Sequence, residues 1–138
     1  MFKNSFRGKK KIQNLLTIII PRHIHRVDDI KKLSQKFKLN SQILNEGEQI
    51  NSNAEVLIIN SFGTLQKYFA YCNDVFIGKS MIKKLESVGG QNPIEAAKQG
   101  CRIYHGPFVY NFKEIYHLLK SYDISEQVEN YTGLSKKL

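Results

Sequence analysis

Two kinds of apolar spacing alternate along the chain. Short stretches rich in apolar residues at 15–20 (LLTIII), 55–60 (EVLIIN), 75–78 (VFIG) and 101–105 (CRIYH) are too short for helices and read as strands. The first, ended by Pro21, reads as a strand buried on both faces of a parallel sheet. Between these runs the apolar positions recur at helical spacing. Val27, Ile30, Leu33 and Phe37 form one such stripe, with Asp28 and Asp29 in its first turn and lysines later, as the helix dipole favours. Leu65, Tyr68, Phe69 and Cys72 form a second at i, i+3, i+4, i+7. A third helix runs from Pro93 to about Gln99 and closes on Gly100. A fourth opens at Asn111 and turns Ile115, Leu118 and Leu119 inward. Residues 42–44 read as a short edge strand, 45–53 and 79–90 as loops, 125–138 as a helical piece interrupted near Gly133, and 1–11 as a short helix or frayed end. Strand alternating with helix predicts an α/β chain with a doubly wound, mostly parallel sheet, whose ligands bind beyond the carboxyl ends of the strands.

Composition narrows this picture without changing it. At 138 residues, 41% apolar and 24% charged, the chain fits one domain with a real core. Cys72 and Cys101 are too few and too far apart for a disulfide framework or zinc site, which suits a reducing compartment. His23, His25, His105 and His117 lack a metal-ligand spacing, so no metal is expected. The net charge of +9 draws phosphates, nucleic acid or anionic lipid. Its lysines lie in scattered small groups rather than along one helix face, which argues against nucleic acid as the partner. The basic amino terminus followed by an apolar run imitates an export signal, but the run is short and Pro21-Arg22-His23 replaces a cleavage site. No apolar stretch approaches the roughly 20 residues of a spanning helix, so any membrane contact is expected to be peripheral.

Chemistry concentrates where strands turn into helices. In the stretch Val88-Gly89-Gly90-Gln91-Asn92-Pro93-Ile94-Glu95, two glycines allow a tight turn and close approach to a ligand, Asn92 suits an N-cap and Pro93 the first helical position. Such a start can receive a phosphate or sugar hydroxyl, half of a nucleotide-sugar site, with Glu95 accepting from ribose hydroxyls; it is equally the pattern of an ordinary capping box. Arg22, directly after a strand, offers a bidentate fork to phosphate, or pairs with Asp28 or Asp29. Gly63 in Phe62-Gly63-Thr64 lets backbone N–H groups approach a base or ribose, or is a plain turn glycine. His105 lines the cleft or is a satisfied structural histidine, and Asn111 with Glu114 makes a second, structural capping box. Gly78-Lys79-Ser80 lacks the upstream glycine of a phosphate loop. If the sheet is doubly wound, Pro21-Arg22, Phe62-Gly63-Thr64 and the Gly89 to Glu95 stretch converge on one rim.

Taken in order, LLTIIIPRH, INSFGTL, VFIGKS, VGGQNPIEAA and HGPFVYNF resemble the C-terminal, donor-binding domain of the 3-deoxy-D-manno-octulosonic acid (Kdo) transferases, from about Leu15 to Phe112. The resemblance implies a Rossmann-like half of a GT-B glycosyltransferase that holds the CMP part of CMP-Kdo, the sugar donor in lipopolysaccharide assembly on lipid A. It implies CMP contacts at Pro21 and Arg22, at Phe62, Gly63 and Thr64, and at Asn92, Pro93, Ile94 and Glu95; Lys79, Ser80, Gly89, Gly90 and His105 are candidates to line the cleft, where Lys79 either crowds it or adds a phosphate donor. Two positions depart from the family pattern: Thr64 stands where a glutamate is usual, and Lys79 where a glycine is usual.

The same resemblance implies an inverting, metal-independent transfer needing no cofactor beyond the donor. The general base is expected in an N-terminal acceptor domain for which 138 residues leave no room, so that the isolated chain is expected to be inactive, with no catalytic residue of its own. A lipid A precursor as acceptor, an N-terminal domain as partner, and a peripheral place at the anionic cytoplasmic face of the bacterial inner membrane complete the expectation. A basic nucleic-acid or membrane-binding module and a UDP-sugar domain of the same fold are the alternatives.

Overall fold

The computed structural model describes residues 15–138, which fall into two compact units, one of residues 15–65 and one of Gln66–Leu138. The reading of residues 1–11 lies outside the described residues.

The amino-terminal unit holds β1 (Thr17–Ile19), α1 (Val27–Lys36), β2 (Ser41–Leu44) and β3 (Val56–Ile59). All three strands are parallel in the order β1-β3-β2, with Ile18 and Gln42 both opposite Leu57. The continuous run Val56–Ile59 therefore occupies the middle and is buried throughout. Each such side chain contributes roughly 1.5–3 kcal/mol by leaving water. Val27, Val56 and Ile58 centre the core, covered by Ile19, Ile30, Leu39 and Ile43. The first strand departs from expectation. It is three residues long and half-buried because it is an edge strand of its ladder, and Leu15 and Leu16 before it are 50% and 41% exposed.

The carboxyl-terminal unit begins within α2 (Leu65–Phe69) and continues through β4 (Asp74–Ile77), α3 (Ile94–Lys98), β5 (Arg102–His105), α4 (Lys113–Ser121), β6 (Ser125–Gln127) and α5 (Tyr131–Lys137). Its strands are also parallel, in the order β4-β5-β6. Phe69, Ile77, Ala96, Cys101, Ile103, Val109 and Tyr116 form the core. The central strand, β5, has Ile103 and Tyr104 fully buried.

Several local expectations are corrected here. Residues 125–138 are a strand followed by a helix rather than one broken helix. Asn130 caps α5 by accepting from the Gly133 N–H at 2.8 Å, so that glycine lies inside the helix instead of interrupting it. The second capping box is absent: Tyr110–Phe112 forms a 3-10 turn, Phe112 is the N-cap of α4, and no side chain caps it. On α4, Tyr116 faces the core while Leu118 is 56% exposed. The loop after β4 contains a further 3-10 turn, Lys83–Val88. The helix expected to carry Leu65 through Cys72 stops at Phe69, with Leu65 exposed. Cys72 and Cys101 are free thiols, and the buried Cys101 Sγ donates to the carbonyls of Phe69 at 3.3 Å and Cys72 at 3.2 Å. Among the described residues no helix is long and apolar enough to cross a membrane.

Candidate functional site

In the amino-terminal unit, β1 and β3 are neighbours and parallel, so the segments that follow them leave the same sheet edge. Pro21-Arg22 follows β1, and Phe62-Gly63-Thr64 follows β3. Arg22 is exposed, and the ion pair with Asp28 or Asp29 that the sequence permits is not formed. Among the described residues its guanidinium, a planar fork of donors, meets no carboxylate. Phe62 is 72% exposed, an unusual setting for a large aromatic ring. Gly63 has φ +70°, a conformation that side chains disfavour, yet a Cβ there would meet nothing within 4 Å. The glycine is demanded by backbone shape alone and leaves open space beside it. Thr64 Oγ1 lies 2.9 Å from Ser61 Oγ, so its hydroxyl closes the turn locally.

The carboxyl-terminal unit arranges its candidates differently. The exits of β4 and β5 are stitched together by Ser80, which is fully buried. Its hydroxyl donates to the Ile77 carbonyl at 2.7 Å and accepts from the Gly106 N–H at 2.8 Å, while its own carbonyl accepts from the Phe108 N–H at 2.9 Å. A side chain on Gly106 would collide with the Ser80 carbonyl. His105, the last residue of β5, is 4% exposed. Its Nδ1 lies 2.7 Å from the Gly106 carbonyl and its ring centroid 4.3 Å from that of Tyr116. Burial pulls its pKa below the ordinary histidine value, and Lys120 adds to the effect against the opposing Gly106 bond.

The glycine stretch is likewise packed rather than open. A Cβ on Gly89 would stand 2.5 Å from the Phe108 carbonyl oxygen and 2.7 Å from that of Leu85. Gly90, at φ +85°, lies so close to Val109 that a Cβ would stand 3.0 Å from its Cα. These glycines serve close approach of protein backbone to protein backbone, where the sequence suggests approach to a ligand. Tyr116 Oη donates to the Gln91 carbonyl at 2.9 Å and holds the same loop from α4.

At the start of α3 the N-cap is Pro93, fully buried, rather than Asn92, and no side chain caps the helix from that position; Asn92, one residue outside, accepts from the Ile94 N–H through its Oδ1 at 3.0 Å. The reciprocal half of a capping box does not form. Glu95 instead accepts from Gln66 Nε2 at 2.9 Å and meets Lys98 Nζ at 3.4 Å. Gly100 closes the helix as expected, its N–H donating to the Ala97 carbonyl at 3.0 Å.

Ser80, Gly89, Gly90 and His105 thus pack against the segment Gly106 to Val109 that follows β5, while Lys79 shares with them only its place beside Ser80 after β4. Three participants were not singled out from the sequence. Gly106 and Tyr116 carry no local signal for their roles; for Gln66 the signal is its place just after the Phe62-Gly63-Thr64 turn. Among the described residues no three His, Cys, Asp or Glu side chains gather to hold a metal ion.

Parallel strands joined through helices, with candidate groups at their carboxyl ends, define a Rossmann-like α/β fold of the kind that forms half of a GT-B glycosyltransferase. The C-terminal CMP-Kdo binding domain of WaaA from Acinetobacter baumannii shares this fold, with a TM-score of 0.79 at 22% identity over 89% of this chain and 62% of that one. In sequence the chain is related to the 3-deoxy-D-manno-octulosonic acid transferases. It is 30% identical to that of Haemophilus influenzae over 109 residues, 79% of this chain and 25% of that protein. It is 23% identical to that of Aquifex aeolicus over 130 residues, 94% of this chain and 34% of that protein. The chain thus spans about a quarter to a third of the length of these relatives. No protein-family model matches it.

Proposed function

We propose that this chain is the donor-binding part of a Kdo transferase, holding CMP-Kdo while Kdo passes to a lipid A precursor. The observation that carries this reading is the similarity to Kdo transferases over most of the chain. The chemistry of each unit supports it. Arg22, with no carboxylate partner among the described residues, is suited to grip a phosphate through two parallel N–H bonds. Phe62 offers an exposed ring face to a base, and Gly63 with Thr64 offers unencumbered backbone. Asn92, Pro93 and Ile94 fix the start of α3, and Glu95 retains acceptor capacity for ribose hydroxyls beyond its bonds to Gln66 and Lys98.

In the transfer, the acceptor hydroxyl attacks the anomeric carbon of Kdo from the face opposite CMP. The bond from that carbon to the phosphate oxygen breaks, the departing phosphate keeps the electron pair, and configuration inverts. A carboxylate of an acceptor-binding domain takes the hydroxyl proton. Arg22 stabilises the charge growing on the phosphate, the role a divalent cation plays in other transferases, so the reading invokes neither metal nor cofactor. The net charge of +9 favours a position near anionic lipid at the cytoplasmic face of the inner membrane.

Titration calorimetry with CMP, and with UDP as the control, tests the reading. CMP binds in preference to UDP, and Arg22→Ala and Glu95→Ala each weaken CMP by about tenfold or more. Unchanged affinity in both variants rejects the site, and equal binding of UDP rejects the donor.

A further inference from the structure

We propose that Lys79 is a phosphate-binding residue of the donor site, held in a backbone conformation that suits glycine better than lysine; this rests on the CMP-binding reading above. Among the described residues three that are not glycine have positive φ: Lys38, Lys79 and Asp123. Two are accounted for by helix ends. The Lys38 N–H donates to the Gln35 carbonyl just after α1, and the Asp123 N–H to the Lys120 carbonyl just after α4, the left-handed terminus that commonly closes a helix. Lys79, at φ +64°, ends no helix and follows a strand.

Its conformation is imposed from both sides. β4 fixes the chain up to Ile77, and Ser80 is fastened by its hydroxyl to Ile77 and Gly106 and by its carbonyl to Phe108. Glycine would make this turn without strain, whereas lysine stores some. Strain of this kind, fixed by its surroundings at the carboxyl end of a parallel strand, is a mark of a ligand contact.

The surroundings identify the ligand as an anion. Lys79 is only half-buried, and no carboxylate among the described residues lies within 4.0 Å of its ammonium group. A Cβ on the adjacent Gly78 would meet nothing within 4 Å, so the turn borders open space. An ammonium group presented there without a carboxylate partner supplies a compact positive charge and three donors, which fits a phosphate oxygen.

Two-dimensional NMR shift titrations, which read millimolar affinities, separate the possibilities on the 138-residue chain, with CMP and cytidine as probes. Lys79→Gln keeps the strain and removes the charge; it weakens CMP about tenfold and leaves cytidine unchanged. Lys79→Arg keeps CMP affinity within about twofold. Lys79→Gly loses CMP affinity by about the same factor as Lys79→Gln, while its melting temperature rises by about 3 °C. Equal CMP affinity in Lys79→Gln and the parent chain overturns the proposal and leaves CMP binding standing. Equal losses for CMP and cytidine assign Lys79 to scaffolding and overturn it as well. If the parent chain binds no CMP, the donor-site reading falls first and this inference with it.

Discussion

The two units present their strand ends in opposite ways. After β1 and β3 most candidate groups are unspent: Arg22 has no ion pair among the described residues, Phe62 is exposed, and Gly63 has a demanding φ but empty space where a side chain would go. After β4 and β5 almost every candidate is committed to protein. Ser80 makes three hydrogen bonds, His105 lies against Tyr116, and Gly89 and Gly90 touch the chain at Phe108 and Val109. A motif glycine can therefore mean two things. At Gly63 it answers to backbone conformation beside an opening, and at Gly89 to a neighbouring backbone.

Substitution breaks this comparison most sharply at Gly89. Gly89→Ala forces a methyl group against two carbonyl oxygens that belong to backbone, and costs about 3 kcal/mol of stability by urea unfolding, the upper range for overpacking. Gly63→Ala meets no atom and pays only for φ, so the same measurement gives about 1 kcal/mol. Equal costs at the two positions would erase the distinction. The smallest effect concerns His105. Because burial lowers its pKa in the folded chain, the unfolded chain takes the proton more readily as pH drops below the ordinary value of 6.5. The stability tied to neutral His105 is whole above that value and declines as pH falls from it towards the lower folded value. Melting temperature measured from about pH 7.5 to about pH 5.5 therefore falls less steeply in His105→Gln than in the parent chain.

Much of the fold is legible in the sequence because the central strands must be apolar on both faces. Val56–Ile59 and the Ile103-Tyr104 pair announce themselves for that reason. The edges do not. β6 is Ser-Glu-Gln, held by backbone pairing to β5, and carries no alternation to read. The site was legible in its residue types and not in their commitments. Asn92 bonds the Ile94 N–H, but the N-cap of α3 is Pro93, and Glu95 turns to Gln66, 29 residues away, a choice no local pattern encodes. The second Asn-x-x-Glu motif, at Asn111, caps nothing because the chain enters α4 through a 3-10 turn. At Lys79 the resemblance marks a lysine where glycine is usual, but only the positive φ and the Ser80 to Gly106 bond beside it show what the backbone there must do.

The strand order β1-β3-β2 also bears on how the chain is made. β1 and β2 come off the ribosome in succession but never pair with each other, since the strand between them is synthesised last. Nothing in that ladder can zip until Ile59 has emerged, and a nascent chain holding two unpaired edges must wait for its middle. The other sheet grows outward one neighbour at a time, from β4 to β5 to β6, and each new strand finds its partner already in place.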